Sequence, residues 1–269
     1  MISESDYSKF KFSVAKHIGI DLDSYKPQQM MRRLDGYTGR KGMNIVDLGL
    51  LIGKDPEELQ QLKDFMTINV SEFFRDSHQF AKLKSVALPE LLAQRTRLKI
   101  WSAGASHGGE AYTLAIMLAE MTRGKPHEIL GSDLDQTILK RASAGGPYAP
   151  ADVRAVPQPL LSKYFNEVDG SYFVNDQIKR SVRFKQQNLL KSTFPADLDL
   201  IMCRNVVIYF SDDAKEVLNK AFHKALRPGG WLFIGGTETL HQAEKLGFER
   251  IDSSLYRKSA ESARLQHAA

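Results

Sequence analysis

Leu98-Lys-Ile-Trp-Ser-Ala-Gly-Ala-Ser-His-Gly-Gly-Glu-Ala-Tyr-Thr113 runs from an apolar strand through a small-residue turn into a helix start, and Gly131-Ser-Asp-Leu-Asp135 ends a second strand in acid. Strand, turn, helix and strand in that order build the carboxyl edge of an α/β sheet, where such folds hold nucleosides. The acid at the second strand can take ribose hydroxyls, and the turn admits the rest of a ligand. The glycine spacing is not G-x-G-x-x-G, so a nicotinamide dinucleotide fingerprint is absent.

Downstream, the pattern keeps alternating. Gln136 to Ala144 reads as a helix, Leu198-Asp-Leu-Ile-Met-Cys203 as a buried strand, Asp212 to Leu226 as a helix and Trp231-Leu-Phe-Ile-Gly235 as another strand. Alternating β and α units predict a parallel sheet covered on both faces. Ser171 to Lys185, with turn residues among aromatic and β-branched ones, predicts an antiparallel excursion. Upstream, residues 1 to about 75 show helical periodicity and no strand alternation. Pro27 suits a first helical turn, and Met30, Met31 and Leu34 form one apolar side.

The bulk numbers bound the class. The chain has 269 residues, 42% of them hydrophobic, with a net charge of +5 that favours acidic partners without specifying nucleic acid. The single cysteine, Cys203, excludes an internal disulfide. No apolar run approaches the ~18 residues of a membrane span, and a cytoplasmic protein without membrane insertion is expected. No metal-ligand spacing occurs among the seven histidines, so no metal is expected, and His78, His107 and His127 read as solvated.

Several residues are placed to carry chemistry. Gly104, Gly108 and Gly109 let backbone N–H groups approach a ligand, although an ordinary tight turn gives the same pattern. Asp133 fits a ribose acid or the N-cap of the next helix. Glu110 is either a helix-start acid or an anion facing a cationic ligand. Arg204 and Asn205 follow a buried strand, where open α/β sheets place active sites. Asn188-Leu189 suits an adenine edge or a plain turn. Cys203 lacks an obvious base and is not expected to be a nucleophile.

Four blocks together resemble the chemotaxis receptor glutamate methyltransferase (CheR) family: Thr67-Ile-Asn-Val-Ser-Glu-Phe-Phe-Arg75, Ile100 to Thr113, Gly131-Ser-Asp-Leu-Asp135 and Cys203-Arg-Asn-Val-Val-Ile-Tyr-Phe210. The resemblance covers roughly residues 5 to 258. It implies an α/β fold: a Rossmann-like S-adenosylmethionine (SAM)-dependent methyltransferase sheet domain, a small N-terminal all-helical domain and an inserted antiparallel β-subdomain. The boundaries expected are 1–75 for the helical receptor-docking domain and linker, 76–258 for the methyltransferase domain with the insertion at about 168–186, and 259–269 for a flexible tail.

The activity implied is methylation of glutamate side chains on chemotaxis receptors to methyl esters, in bacterial sensory adaptation, with S-adenosylhomocysteine as the second product. By the same resemblance, Asn69, Ser71 and Arg75 reach the cofactor from the linker, and Arg75 lies near the methionine carboxylate and the reacting centre. Glu110 faces the methionine end, Asp133 the ribose, and Asn188 and Leu189 the adenine. Arg204 and Asn205 close the pocket, and Tyr209 lies near the methyl group. Arg75 and Tyr209 are the expected catalytic residues, acting by positioning. The chain departs from the family at Gly108-Gly-Glu-Ala-Tyr112, where Gly-Glu-Glu-Pro-Tyr is usual, and His107 replaces a usual threonine. Weaker cofactor affinity is the expected consequence.

The cytoplasmic helical region of the receptors is the expected partner. Arg32, Arg33, Arg40 and Lys41 form a local basic segment opposed only by Asp35, and are expected to dock glutamate-bearing helices. A receptor-tail peptide tether is not expected, because Asn166-Glu-Val-Asp-Gly-Ser171 carries one glycine where tethering members have more. No nucleic-acid motif is present. Two alternatives stay open: a SAM-dependent enzyme with another acceptor, and a non-catalytic SAM-binding signalling module.

Overall fold

A computed structural model describes residues 2–67 and 71–260. The chain divides into two compact units, Met1–Ile68 with Val206–Val217, and Asn69–Asn205 with Leu218–Ala269.

In the first unit, helices α1 (Glu4–His17), α2 (Pro27–Lys41), α3 (Ile45–Leu51) and α4 (Pro56–Met66) start where the sequence supplies caps. Ser3, Asn44 and Asp55 accept from first-turn N–H groups, and Pro27 and Pro56 occupy positions that need no N–H donor. α2 stops at Gly42, whose φ of 64° suits glycine. The buried faces carry Tyr7, Phe10 and Val14, then Met30, Leu34 and Tyr37, then Ile45 and Leu48, then Leu62 and Met66. The distant segment Val206–Val217 is stitched into this unit. Lys26 N donates to Tyr209 O at 3.0 Å, Ser211 N donates to Ser24 O at 2.9 Å, and the Tyr25 and Phe210 rings meet edge to face at 5.1 Å.

In the second unit, α5 (Ser77–Lys82) and α6 (Leu88–Gln94), joined by a π-helical turn, lead into a seven-stranded sheet. Its strands are β1 (Lys99–Ala103), β2 (Glu128–Asp133), β5 (Val182–Gln186), β6 (Leu198–Cys203), β7 (Leu226–Ile234), β8 (Phe248–Arg250) and β9 (Leu255–Lys258). Their order is β5-β2-β1-β6-β7-β9-β8, parallel from β5 to β7 and antiparallel beyond. The order reverses between β1 and β6, so the crevice for a ligand opens there, at the carboxyl ends. Between the strands run α7 (Gly109–Thr122), α8 (Gln136–Ala144), α9 (Pro150–Val153), α10 (Gln158–Tyr164), α11 (Asp176–Ser181) and, from Leu218 on, α12 (Asp212–Ala225), whose first residues belong to the first unit. β6 is buried along its whole length, as a central parallel strand requires.

A separate antiparallel hairpin, β3 (Phe165–Val168) with β4 (Ser171–Val174), turns at Asp169-Gly170, both in the left-handed region. The expected excursion extended to Lys185. The structure instead pairs Val182–Gln186 with β2 in parallel, as an outer strand of the main sheet. Its half-buried alternation looks the same in either strand direction, which is why the pattern did not separate them.

Candidate functional site

The turn after β1 is held by backbone. Gly104 N and Ala105 N both donate to Ser132 O at 2.8 Å. The Asp133 carboxylate accepts from Ser106 N at 2.8 Å and from Asp135 N at 3.0 Å. The cap of α8 is Asp135, which accepts from Thr137 N and Ile138 N. The helix-cap reading of Asp133 therefore falls. Its side chain instead ties the end of β2 to the β1 turn, and burial pushes its pKa up against the pull of those N–H donors. Gly131 and Gly108 admit the Phe184 ring: a Cβ would stand 2.5 Å and 2.9 Å from it, respectively.

Glu110, in the first turn of α7, is buried against Arg204 from the end of β6. The Arg204 side chain has no exposed surface. It donates from Nη1 to Glu110 and to Arg75 O, and from Nη2 to Asp76 Oδ2 and Gln79 Oε1, both at 2.9 Å. Its guanidinium carbon lies 5.0 Å from the Phe80 ring centroid and 4.9 Å from that of Phe233. Burial pushes Glu110 up to about 7, although Arg204 and then Arg75 pull it down. The resemblance gives Arg204 a cofactor contact. In the structure its side chain is buried and pairs with Glu110.

Asn205 sits beside this pair with φ of 58°. Its N–H donates to Glu238 Oε2 at 2.9 Å, and Gly235 N donates to the same oxygen at 2.7 Å. Glu238 thus bridges the ends of β6 and β7. It was missed in the sequence, as were Asp76 and Gln79. The available signal was Gly235-Gly236 at a strand end: a Cβ on Gly236 would stand 2.1 Å from Gln79 Nε2.

Ser71 to Arg75 packs on the start of α7. Phe74 N donates to Thr113 Oγ1 at 2.9 Å and Phe73 N to Asp152 O at 3.0 Å, while the Phe73 ring sits among Tyr112, Tyr148 and Phe165. Ser71 O lies 2.7 Å from His107 Nε2. His107, read as solvated, is buried, with its pKa lowered by that burial. His127 is half-buried and bonded to Leu98 N, and His78 is exposed. Arg75 is half-buried and close enough to Glu110 to depress it. Asn69 lies outside the described residues.

Asn188 Oδ1 accepts from Leu190 N at 2.9 Å, and Asn188 O accepts from Ser192 N at 2.9 Å. These bonds form a turn, with Leu189 half-buried beside it. Cys203 is fully buried and its thiol is pushed well up, which removes it as a nucleophile.

Within the helical unit, Tyr209 O accepts from Lys26 N, and the Arg33 guanidinium lies 5.6 Å from the Tyr209 ring and 4.9 Å from the Phe65 ring. Arg33 also donates to Phe65 O, and burial lowers its pKa. Lys41 is engaged by Glu58 and Gln61. Of the four expected docking cations, Arg32 and Arg40 are exposed, although the Arg40 guanidinium lies 5.7 Å from the Phe65 ring, whereas Arg33 and Lys41 hydrogen-bond within their own unit.

The crevice fits a polar ligand. Among the described residues, ten buried side-chain polar atoms lack a partner, and five of them lie in the loops after β1, β5 and β6: Ser106 Oγ, His107 Nδ1, Gln187 Oε1, Arg204 Nε and Asn205 Oδ1. Unsatisfied buried groups are costly, so their concentration at one sheet edge marks a place built for hydrogen bonding. Two non-glycine residues with positive φ, Ser106 and Asn205, lie in the loops after β1 and β6, and two more, Phe74 and Asp76, lie in the segment that leads into α5. No group of metal-ligating residues occurs among the described residues, and no described helix is long and apolar enough to cross a membrane.

Two family models match, the CheR methyltransferase SAM-binding domain over residues 69–256 and the CheR methyltransferase all-alpha domain over residues 5–67. The chain is 34% identical to the chemotaxis protein methyltransferase of Listeria monocytogenes over 258 residues, covering 95% of this chain and 98% of that one. It is 32% identical to the chemotaxis protein methyltransferase Cher2 of Pseudomonas putida, covering 88% and 90%. With both parts of the chain matched and a polar crevice at the switch point of the sheet, the chain belongs to the CheR methyltransferase family, the S-adenosylmethionine-dependent protein-glutamate methyltransferases of chemotaxis.

Proposed function

We propose that this chain methylates glutamate side chains in the cytoplasmic helical region of chemotaxis receptors, in the cytoplasm, and that the crevice between β1 and β6 is where it does so. The observation that carries the reading is the Asp133–Ser106 bond together with the buried Glu110–Arg204 pair, because both acids follow strands or start helices at the carboxyl edge where a cationic nucleoside needs them.

When bound, SAM supplies a methyl group made electrophilic by its sulfonium. Asp133 holds the ribose hydroxyls with the acceptor capacity left by two backbone donors. Glu110 faces the positive methionine end, and Arg204 keeps that carboxylate in place. Arg75 holds the methionine carboxylate, with Ser71 alongside. Asn188 and Leu189 flank the adenine through their turn, and Asn205 closes the edge beside Glu238. Tyr209 positions the incoming carboxylate.

The acceptor needs no base. A glutamate with pKa near about 4.3 is ionised at neutral pH. With the methyl group that bound SAM would supply, and a sulfonium that would keep the departing electron pair, this carboxylate would need no residue of the chain to move a proton. The residues of the chain are left with alignment and exclusion of water. The burial of Cys203, whose thiol it pushes well up, is in keeping with this.

Docking rests on Arg32 and Arg40, the exposed cations of α2. The two-residue turn of the β3–β4 hairpin supports a chain that works without a receptor-tail tether, and nucleic acid plays no part. The test is transfer of label from methyl-labelled SAM to membranes carrying chemotaxis receptors. Label released by base as volatile methanol supports carboxyl esters, and base-stable label contradicts them.

A further inference from the structure

α1 and α3 pack at close range. Ser13 Oγ donates to Gly49 O at 2.5 Å, and a Cβ on Gly49 would touch Phe10 at 3.4 Å. Their outward sides meet in a groove of about 460 Å³. Its floor is apolar: Phe10, Phe12, Ile45, Val46 and Leu50. Phe12 is 74% exposed and Leu50 62%, unusual for side chains of that size standing in one groove. The rim carries Lys9, Lys16 and Lys54; Lys9 also pairs with Asp6 at 3.9 Å, but no carboxylate lines the groove itself. On α1, Lys9, Phe12, Ser13 and Lys16 follow helical spacing, so the stripe runs along the helix rather than across it. None of the α2 docking cations belongs to this groove.

An apolar trough between positive rims fits one kind of occupant. Helix-in-groove recognition seats apolar anchors at i and i+4 and uses the flanks for charge. Helices of a coiled-coil bundle turn their apolar seams inward and show polar faces. The receptor bundle therefore does not match this floor, whereas a lone amphipathic helix with acidic flanks does.

We propose that the α1–α3 groove binds a single acidic amphipathic helix of a partner protein, with its apolar anchors on Phe12 and Leu50 and its carboxylates facing Lys9, Lys16 and Lys54. Such an attachment leaves the methyl-transfer crevice untouched and gives the enzyme a second, independent handle.

The full chain is titrated with a designed helical peptide of roughly 18 residues, long enough to hold helix in water, carrying leucines at i and i+4 flanked by glutamates. Two control peptides replace the glutamates with lysines or the leucines with serines. The acidic peptide is expected to bind. Binding should weaken at least about tenfold in a Phe12→Ser/Leu50→Ser variant, and again in a Lys9→Glu/Lys16→Glu variant, with melting temperature and SAM affinity unchanged. Higher salt should weaken it further. No binding of the acidic peptide, equal binding of the lysine peptide, or wild-type binding by both variants overturns the proposal. Displacement of the peptide by a receptor cytoplasmic fragment also overturns it, because the groove would then belong to the receptor.

Discussion

Arg204 at the end of β6 and Glu110 at the start of α7 form an ion pair across 94 residues of sequence, with the arginine enclosed between the faces of Phe80 and Phe233. Removing one partner from a buried pair strands the other. Arg204→Met is expected to lower stability by about 3–5 kcal/mol and to abolish SAM binding. Arg204→Lys keeps the charge but loses the planar stack and the fork, so it recovers only part of either. Denaturant unfolding and calorimetric titration of SAM check both effects.

Glu110 carries a second consequence. With its pKa pushed up to about 7 by burial, it is part-protonated in the free protein near neutrality. A cationic ligand favours the carboxylate, so SAM should bind more weakly as pH falls below about 7, approaching tenfold per unit, and level off above. Binding below that point releases a proton, visible as a buffer-dependent enthalpy. Constant affinity between about pH 6 and pH 8 would remove Glu110 from the methionine end.

Asp133→Ala deletes the proposed ribose acceptor while leaving the cap of α8 to Asp135. Two charge-assisted bonds lost together predict about a hundredfold weaker SAM binding. Circular dichroism should be unchanged. Wild-type affinity in this variant would place the ribose elsewhere.

The four basic residues of α2 should separate into two pairs. Arg32→Glu with Arg40→Glu is expected to raise KM for receptor several-fold at constant melting temperature. Arg33→Ala and Lys41→Ala break contacts inside the helical unit, to Phe65 and to Glu58, and should lower its stability instead. A rise in KM from Lys41→Ala without loss of stability would return Lys41 to the docking face.

Local chemistry decided what could be read in advance. β1, β6 and α8 are found where apolar runs and helical periodicity put them, and Asp133 occupies the expected strand end. The three-residue β8 and its partner β9 were not read, since so short a strand shows no period. Arg204 was legible as a polar residue after a buried strand, but its partners Asp76 and Gln79 lie 128 and 125 residues away. Glu238 reads as an ordinary loop acid until the fold brings Asn205 and Gly235 to it. The basic run on α2 displayed charge and concealed that half of it is spent inside the unit.

One crevice is expected to use SAM to esterify receptor glutamates. The most direct measurement is mass spectrometry of a receptor cytoplasmic fragment after incubation with SAM and either the wild-type chain or Asp133→Ala. Base-labile methyl esters are expected on glutamates with the wild-type chain and almost none with the variant. Methylation at other residue types, or equal esterification by the variant, would contradict it.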